Sequence, residues 1–507
     1  MPIRIANERS QARGMVMIRI TAGVSLVVSL ALLAICGCSS SVLANPTPLS
    51  AGSVNLIFVV SEDLAFQASG DVSPTTANLT NQGLQRSLLM ATFLRQHVLG
   101  MENVSAIYAL DPMTHLQTAN NYPDMVALET VQQFAMLNQI TLSTGGQGWV
   151  PFTASSYPLN GSYAQGPAVP TGVATPALVC PACQGLDFMD PASDNESLVT
   201  GIVTANVPGF YVFSAPWETT SALLASVNTL EGFNLSVPAG YQGPNFIYAI
   251  SISPTGRASL VTYNSNITPL QTYPVLPSPV PVTATCTEQK PFQFAVTAGI
   301  AGAELPVGMS TNETVYMVRH AEAHPQGLWD DGNYFAAGQW RALDLPNALK
   351  GKISPNQVWS IDPAQVIPGT ETISGNSYFS YVRPSLTVEP YAIANNLPYY
   401  LAASFPLISP DSPQDTIQFF FTGNTFSGQA LLLAWEHEHF APTINALVAS
   451  YFPHAPIPSA DVAPDWPGDD YDTVWTLTFD ATGNFTVNNA TCEGINSAAL
   501  PSTAPQF

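Results

Sequence analysis

"TVYMVRHAEAHP", residues 314–325, and "VNLIFVVSEDLAF", residues 54–66, share one pattern. Each is a short apolar run, rich in Val, Ile, Tyr and Phe, that stops abruptly at polar residues, as a buried strand does. The later run ends in Arg319-His320, whereas the earlier one has Val60-Ser61 at that place. One chain builds the same strand end twice and gives a cation and an imidazole to only one of them.

The surrounding sequence repeats in the same order. After each strand comes a Gly-x-x-Arg that opens a helical pattern, Gly83 and Arg86 in "LTNQGLQRSLLMATFLRQHVL" and Gly338 and Arg341 in "GNYFAAGQWRALDLPNAL". Second short strands end in "YALDP" (108–112) and "WSIDP" (359–363). Helices follow in "MVALETVQQFAMLNQI" (125–140) and "YVRPSLTVEPYAIANNL" (381–397). "FYVFSAPWETTSALLAS" (210–226) faces "LLAWEHEHFAPTINALVAS" (432–450), and each half closes on a strand and a turn carrying Gly256 or Gly483. Strand and helix alternate throughout, which predicts an α/β fold: two tandem three-layer α/β/α domains, each with a mostly parallel central sheet flanked by helices. The domains are expected at 53–271 and 311–490. A Pro-rich linker (272–310) joins them, with a tether at 38–52 and a tail at 491–507.

The 507 residues are too many for one ordinary core. Only 9% are charged, and 13 basic residues face 35 acidic ones, with a pI near 4.4. That balance excludes nucleic acid as a partner, since its binding requires basic patches. Residues 1–37 read as a leader: Arg4, Arg9, Arg13 and Arg19 precede an apolar run from Ile20 to Ile35, too short for a membrane span but suited to a signal peptide. The run closes on Ile35-Cys36-Gly37-Cys38, which resembles a bacterial lipobox. The resemblance implies cleavage after Gly37, a lipid on Cys38, and attachment at the outer membrane or in the periplasm. Loss of four Arg and Glu8 leaves 9 basic and 34 acidic residues, a formal charge of −25. Four further cysteines suit export. They are expected to pair as Cys180–Cys183, a loop staple, and Cys286–Cys492, a tie across the C-terminal half. A redox role for "CPAC" is the alternative for the first pair.

In layered α/β folds ligands bind beyond the carboxyl ends of the strands. The residues there are Arg319-His320, Asp362-Pro363, Arg383 and Glu436-His437-Glu438-His439. "YMVRHAE" with the later Arg and strand-end His resembles the histidine phosphatase superfamily, the phosphoglycerate-mutase-like proteins. The resemblance covers about 311–490 and more faintly 53–270. It implies that His320 is the nucleophile, that Arg319 and Arg383 grip phosphate oxygens, and that His437 balances phosphate charge. A carboxyl, Glu438 or Glu322, would protonate the leaving oxygen. Ala321 departs from the Gly common in the family. No cofactor or metal is implied.

The residue types suit the chemistry on their own terms. A neutral imidazole is a competent nucleophile, and two guanidinium forks fix a tetrahedral oxyanion. The expected function is an exported phosphomonoesterase acting on a phosphorylated small molecule through a phosphohistidine. Two alternatives are a surface protein with two binding modules and a metallohydrolase using His320, His324, His437, His439, Asp330 and Asp331. In the N-terminal half Val60, Ser61, Val126 and Phe213 fall opposite Arg319, His320, Arg383 and His437, so that copy is expected to be degenerate. The strong negative charge further predicts an acidic pH optimum.

Overall fold

The computed structural model describes residues 46–507 apart from 139, 143–151, 155, 158, 162–184, 189–193, 284–285, 287–288, 324–330, 364–365, 369–377 and 403–412. The leader with Cys36 and Cys38, the Cys180–Cys183 pair, His324 and Asp330 therefore lie outside the described residues. In the N-terminal half the main elements run β1 (Val54–Val60), α1 (Asn81–Phe93), β2 (Ala106–Ala109), α2 (Val126–Leu137), α3 (Asp194–Ala205), β3 (Gly209–Ala215), α4 (Trp217–Leu230), β4 (Phe246–Ile252) and β5 (Ala258–Asn264). The C-terminal half begins with β6 (Gln293–Val296), β7 (Thr314–Arg319), α5 (Ala336–Ala348), β8 (Gln357–Ile361), α6 (Arg383–Asn395) and β9 (Tyr399–Ala402). It continues with α7 (Pro413–Phe421), β10 (Ala430–Trp435), α8 (His437–Tyr451), β11 (Thr473–Phe479) and β12 (Phe485–Cys492).

The first sheet has the order β2-β3-β1-β4-β5, and the second has β6-β12-β11-β7-β10-β8-β9. The repeat is visible in this topology: β8-β10-β7-β11-β12 reproduces β2-β3-β1-β4-β5. Each sheet is mixed. The strands around β1 and β7 are parallel on one side, and the closing hairpins β4-β5 and β11-β12 add antiparallel pairs on the other. Central strands with both faces covered read as continuous apolar runs, and β1 is buried along its whole length.

Both faces of each sheet carry helices. Leu56 and Phe58 of β1 pack with Leu223 and Leu224 of α4, while Ile57 and Val59 pack with Met90 of α1 and Phe134 of α2. Met317 of β7 and Leu433 of β10 likewise meet Phe440 and Ile444 of α8. The inner helices of the two halves share one apolar cluster that contains Leu94, Val131 and Phe134 together with Leu345 and Leu386. Burial of each such side chain contributes about 1.5–3 kcal/mol. Cross-links between the halves include Gln132 Nε2 to Asn333 Oδ1 (2.9 Å) and Gln339 Nε2 to Gln133 Oε1 (2.9 Å). The tail takes part as well, with Gln133 donating to the Pro505 carbonyl. The described residues from 46 to 507 accordingly belong to one compact unit.

The repeated Gly-x-x-Arg has a steric and an electrostatic cause. A Cβ on Gly83 would lie 2.2 Å from the Asp71 carbonyl oxygen, and one on Gly338 would lie 2.8 Å from Tyr334 Cβ. These close approaches let the Arg one turn later reach a buried carboxylate: Arg86 pairs with Asp71, and Arg341 with Glu322 and Glu493. Gln293–Val296, inside the Pro-rich connection, forms the edge strand β6 on β12. The expected Cys286–Cys492 disulfide is present beside it. Among the described residues no helix is long and apolar enough to cross a membrane.

Candidate active site

The ends of β7 and β10 and the starts of α6 and α8 converge on one place. Arg319 is the last residue of β7 and pairs in register with Trp435, the last residue of β10. His320 follows, and its backbone N–H donates to the Trp435 carbonyl (3.1 Å). Parallel strands thereby bring Arg319-His320 level with Glu436-His437. Glu436 caps α8, its Oε1 accepting from the His437 N–H (2.9 Å). Arg383 is the first residue of α6 and is buried.

His320 is almost fully buried, and both ring nitrogens face acceptors. Nδ1 lies 2.7 Å from the Ala321 carbonyl, and Nε2 lies 2.9 Å from Glu436 Oε2. A carbonyl can only accept, so Nδ1 carries a proton, and the Nε2–Oε2 contact is a hydrogen bond when the pair holds one further proton. Burial pushes the imidazole down to about 4; Glu436 opposes this, and Arg383 and Arg319 add to it. Burial would raise the Glu436 carboxyl, yet His320 and His437 hold it well below the usual carboxylate range. A proton on this edge is held weakly by either partner and is readily passed to a third group.

Aromatic rings complete the walls. The Tyr381 hydroxyl donates to Glu436 Oε2 (2.6 Å), and its ring stands edge-on to His320 with centroids 6.1 Å apart. The Arg383 guanidinium lies over that ring at 4.8 Å. Arg319 lies over Tyr471 at 3.9 Å, and its Nη1 donates to the carbonyls of Gly468 (2.6 Å) and Asp470 (3.3 Å). The loop carrying Tyr471 is braced by Trp466 Nε1 on the Asp470 carbonyl (2.9 Å) and by Asp470 Oδ1 accepting from the N–H groups of Asp472 and Thr473. Among the described residues, Arg319 is thus held by backbone carbonyls and an aromatic ring.

The structure gathers Arg319, His320, Arg383 and His437 as a set, with His437 Nδ1 on Glu436 Oε1. The two expected proton donors stand elsewhere. Glu322 is buried against Arg341 Nε (2.8 Å), and Glu438 is exposed on the first turn of α8. His439 stacks flat on Trp435 at 5.0 Å. Sequence reasoning left Glu436, Tyr381 and Tyr471 without roles. For Glu436 the signal was its place as the first residue past β10. Among the described residues no three His, Cys, Asp or Glu side chains are grouped to hold a metal ion.

The N-terminal half shows what is missing there. The Ser61 N–H donates to the Ala215 carbonyl (3.0 Å), the bond His320 makes to Trp435, so Ser61 is the counterpart of His320. Val126 begins α2 as Arg383 begins α6. The counterpart of His437 is Trp217, which opens α4, and not Phe213 as expected from the sequence. Phe213 lies inside β3, stacked on Phe58 (5.2 Å) and Tyr108 (5.3 Å). Apolar runs on adjacent strands are interchangeable in a one-dimensional alignment, whereas the helix start fixes the register.

No family model matches the chain, and no curated protein matches it. Among solved structures, one described as the phosphohistidine phosphatase SixA from Agrobacterium tumefaciens aligns at 15% identity, covering 33% of this chain and 92% of that one, with a TM-score of 0.19. A second SixA structure, from Nakamurella multipartitia, aligns at 14% identity over 40% of this chain and 96% of that one, with a TM-score of 0.21. Scores this low do not establish a shared fold.

Proposed function

We propose that the C-terminal half is a phosphomonoesterase that transfers a phosphoryl group to His320 and then to water. What supports this reading above all is the environment of His320: a buried imidazole, held through Nδ1 on the Ala321 carbonyl, with its basicity lowered and two guanidiniums beside it. Phosphoryl transfer asks a protein mainly for positioning and charge neutralisation. Arg319 and Arg383 supply the positive charge, Nε2 is the nucleophile, and His437 opens a helix whose N-terminus favours an anion. The N-terminal half, with Val60, Val126 and Trp217 at the matching positions, is a scaffold without this chemistry. The leader read in residues 1–37 supports export with a lipid on Cys38.

One observation favours a non-catalytic binding role: Glu436 Oε2 stands where a phosphoryl group would meet Nε2. Turnover of p-nitrophenyl phosphate between acid and neutral pH separates the two readings. The phosphatase reading expects metal-independent turnover that His320→Ala lowers by at least about 1,000-fold. Equal turnover in the variant, or none in the parent protein, sinks it.

A further inference from the structure

Resting on the phosphatase reading, we propose that Glu436 is the acid that protonates the leaving alcohol, and that the site therefore serves phosphate esters of aliphatic alcohols. Among the described residues, Glu322, Glu436 and Glu438 are the carboxyls within two residues of His320 or His437. Glu322 is committed to Arg341, and Glu438 points into solvent. Of these three, Glu436 touches the nucleophile, at its Nε2 edge. Its other contacts orient it: the Tyr381 hydroxyl on Oε2, and the His437 N–H and ring on Oε1.

The steps balance around one proton. An entering phosphate ester, as its monoanion, takes the place of Oε2 against Nε2 and brings an acidic proton with it. Its negative charge beside Glu436 favours passage of that proton to the carboxylate, which is moved aside as the neutral acid. The Nε2 lone pair attacks phosphorus, the P–O bond to the alcohol breaks, and the departing oxygen takes the Glu436 proton. His320 is left phosphorylated on Nε2, with Nδ1–H still on the Ala321 carbonyl, and Glu436 is left as a carboxylate. Water then attacks phosphorus and gives a proton to Glu436, the P–N electron pair returns to Nε2, and the departing phosphate takes the Glu436 proton away as its monoanion. An aliphatic alkoxide is a poor leaving group without that proton, whereas a nitrophenolate leaves readily.

Glu436→Gln tests this directly. Glutamine keeps an acceptor oxygen for the α8 cap but cannot donate an acidic proton. The expected result is a split in kcat/KM, which reads only the phosphorylation step: the value for β-glycerol phosphate falls about 100-fold or more, and that for p-nitrophenyl phosphate falls about tenfold or less. A retained aryl kcat/KM also reports that the variant is folded. Equal losses on both substrates, or no loss, overturn the assignment of Glu436 while leaving phosphohistidine chemistry standing. A parent protein inactive on both substrates overturns the phosphatase reading and this assignment with it.

Discussion

His320 shows how one side chain's surroundings set its chemistry. Its two nitrogens sit against a fixed carbonyl and a carboxyl, so its protonation is governed by neighbours rather than by solvent. Burial places its titration near 4. Below that pH the imidazolium has no lone pair for attack, and above it the nucleophile is free. The acid limb of kcat/KM is therefore expected to bend near pH 4, and a bend near the ordinary histidine value of about 6.5 contradicts the burial argument. The sequence made the convergence of His320, Arg319, Arg383 and His437 legible because each ends or follows a strand or opens a helix. Glu436 was harder to assign: in "WEHEHF" two carboxyls and two imidazoles alternate, and only the start of α8 decides which face inward.

At the scale of elements, the repeated Gly-x-x-Arg reads as a packing device. Gly338 lets α5 approach the chain after β7, and Arg341 ties α5 to Glu322 there and to Glu493 and Ser497 near the tail. Arg341→Met leaves these carboxyls buried without their cation, an expected loss of about 3–5 kcal/mol in denaturant titration at pH 8. Burial already pushes Glu493 up to about 8, so at pH 5 it can take a proton instead, and the loss is expected to shrink. A loss below about 1 kcal/mol at both pH values contradicts a structural role for the network. Alternation of apolar runs and Gly-marked helices exposed the elements and their order. It did not expose the antiparallel half of each sheet, because a strand buried on both faces carries no mark of its neighbours' direction. Nor did it align the degenerate half's Trp217, since the chemistry that marks the register was lost there.

For the whole molecule, the low charge content and the buried acids point the same way. Burial pushes Glu62 up to about 9, Glu129 to about 8 and Glu313 to about 7, from an ordinary value near 4.5. The folded chain holds these protons more tightly than the unfolded one. The stability they contribute is fully present below about pH 4.5 and is lost as pH rises through 7 to 9. The formal charge of −22 adds repulsion in the same direction. The Tm is expected to be at least about 5 °C higher at pH 5 than at pH 8.5. A Tm that climbs toward pH 8.5 contradicts this account of the core.

Every step proposed for the C-terminal half passes through a phosphoryl group on His320. The most direct measurement is to quench turnover of p-nitrophenyl phosphate within the first cycles and locate phosphate on the protein by mass spectrometry. The expected result is one acid-labile, base-stable phosphoryl group on His320, absent in His320→Ala and longer-lived in Glu436→Gln. Turnover without a phosphorylated residue, or phosphate on any residue other than His320, contradicts it.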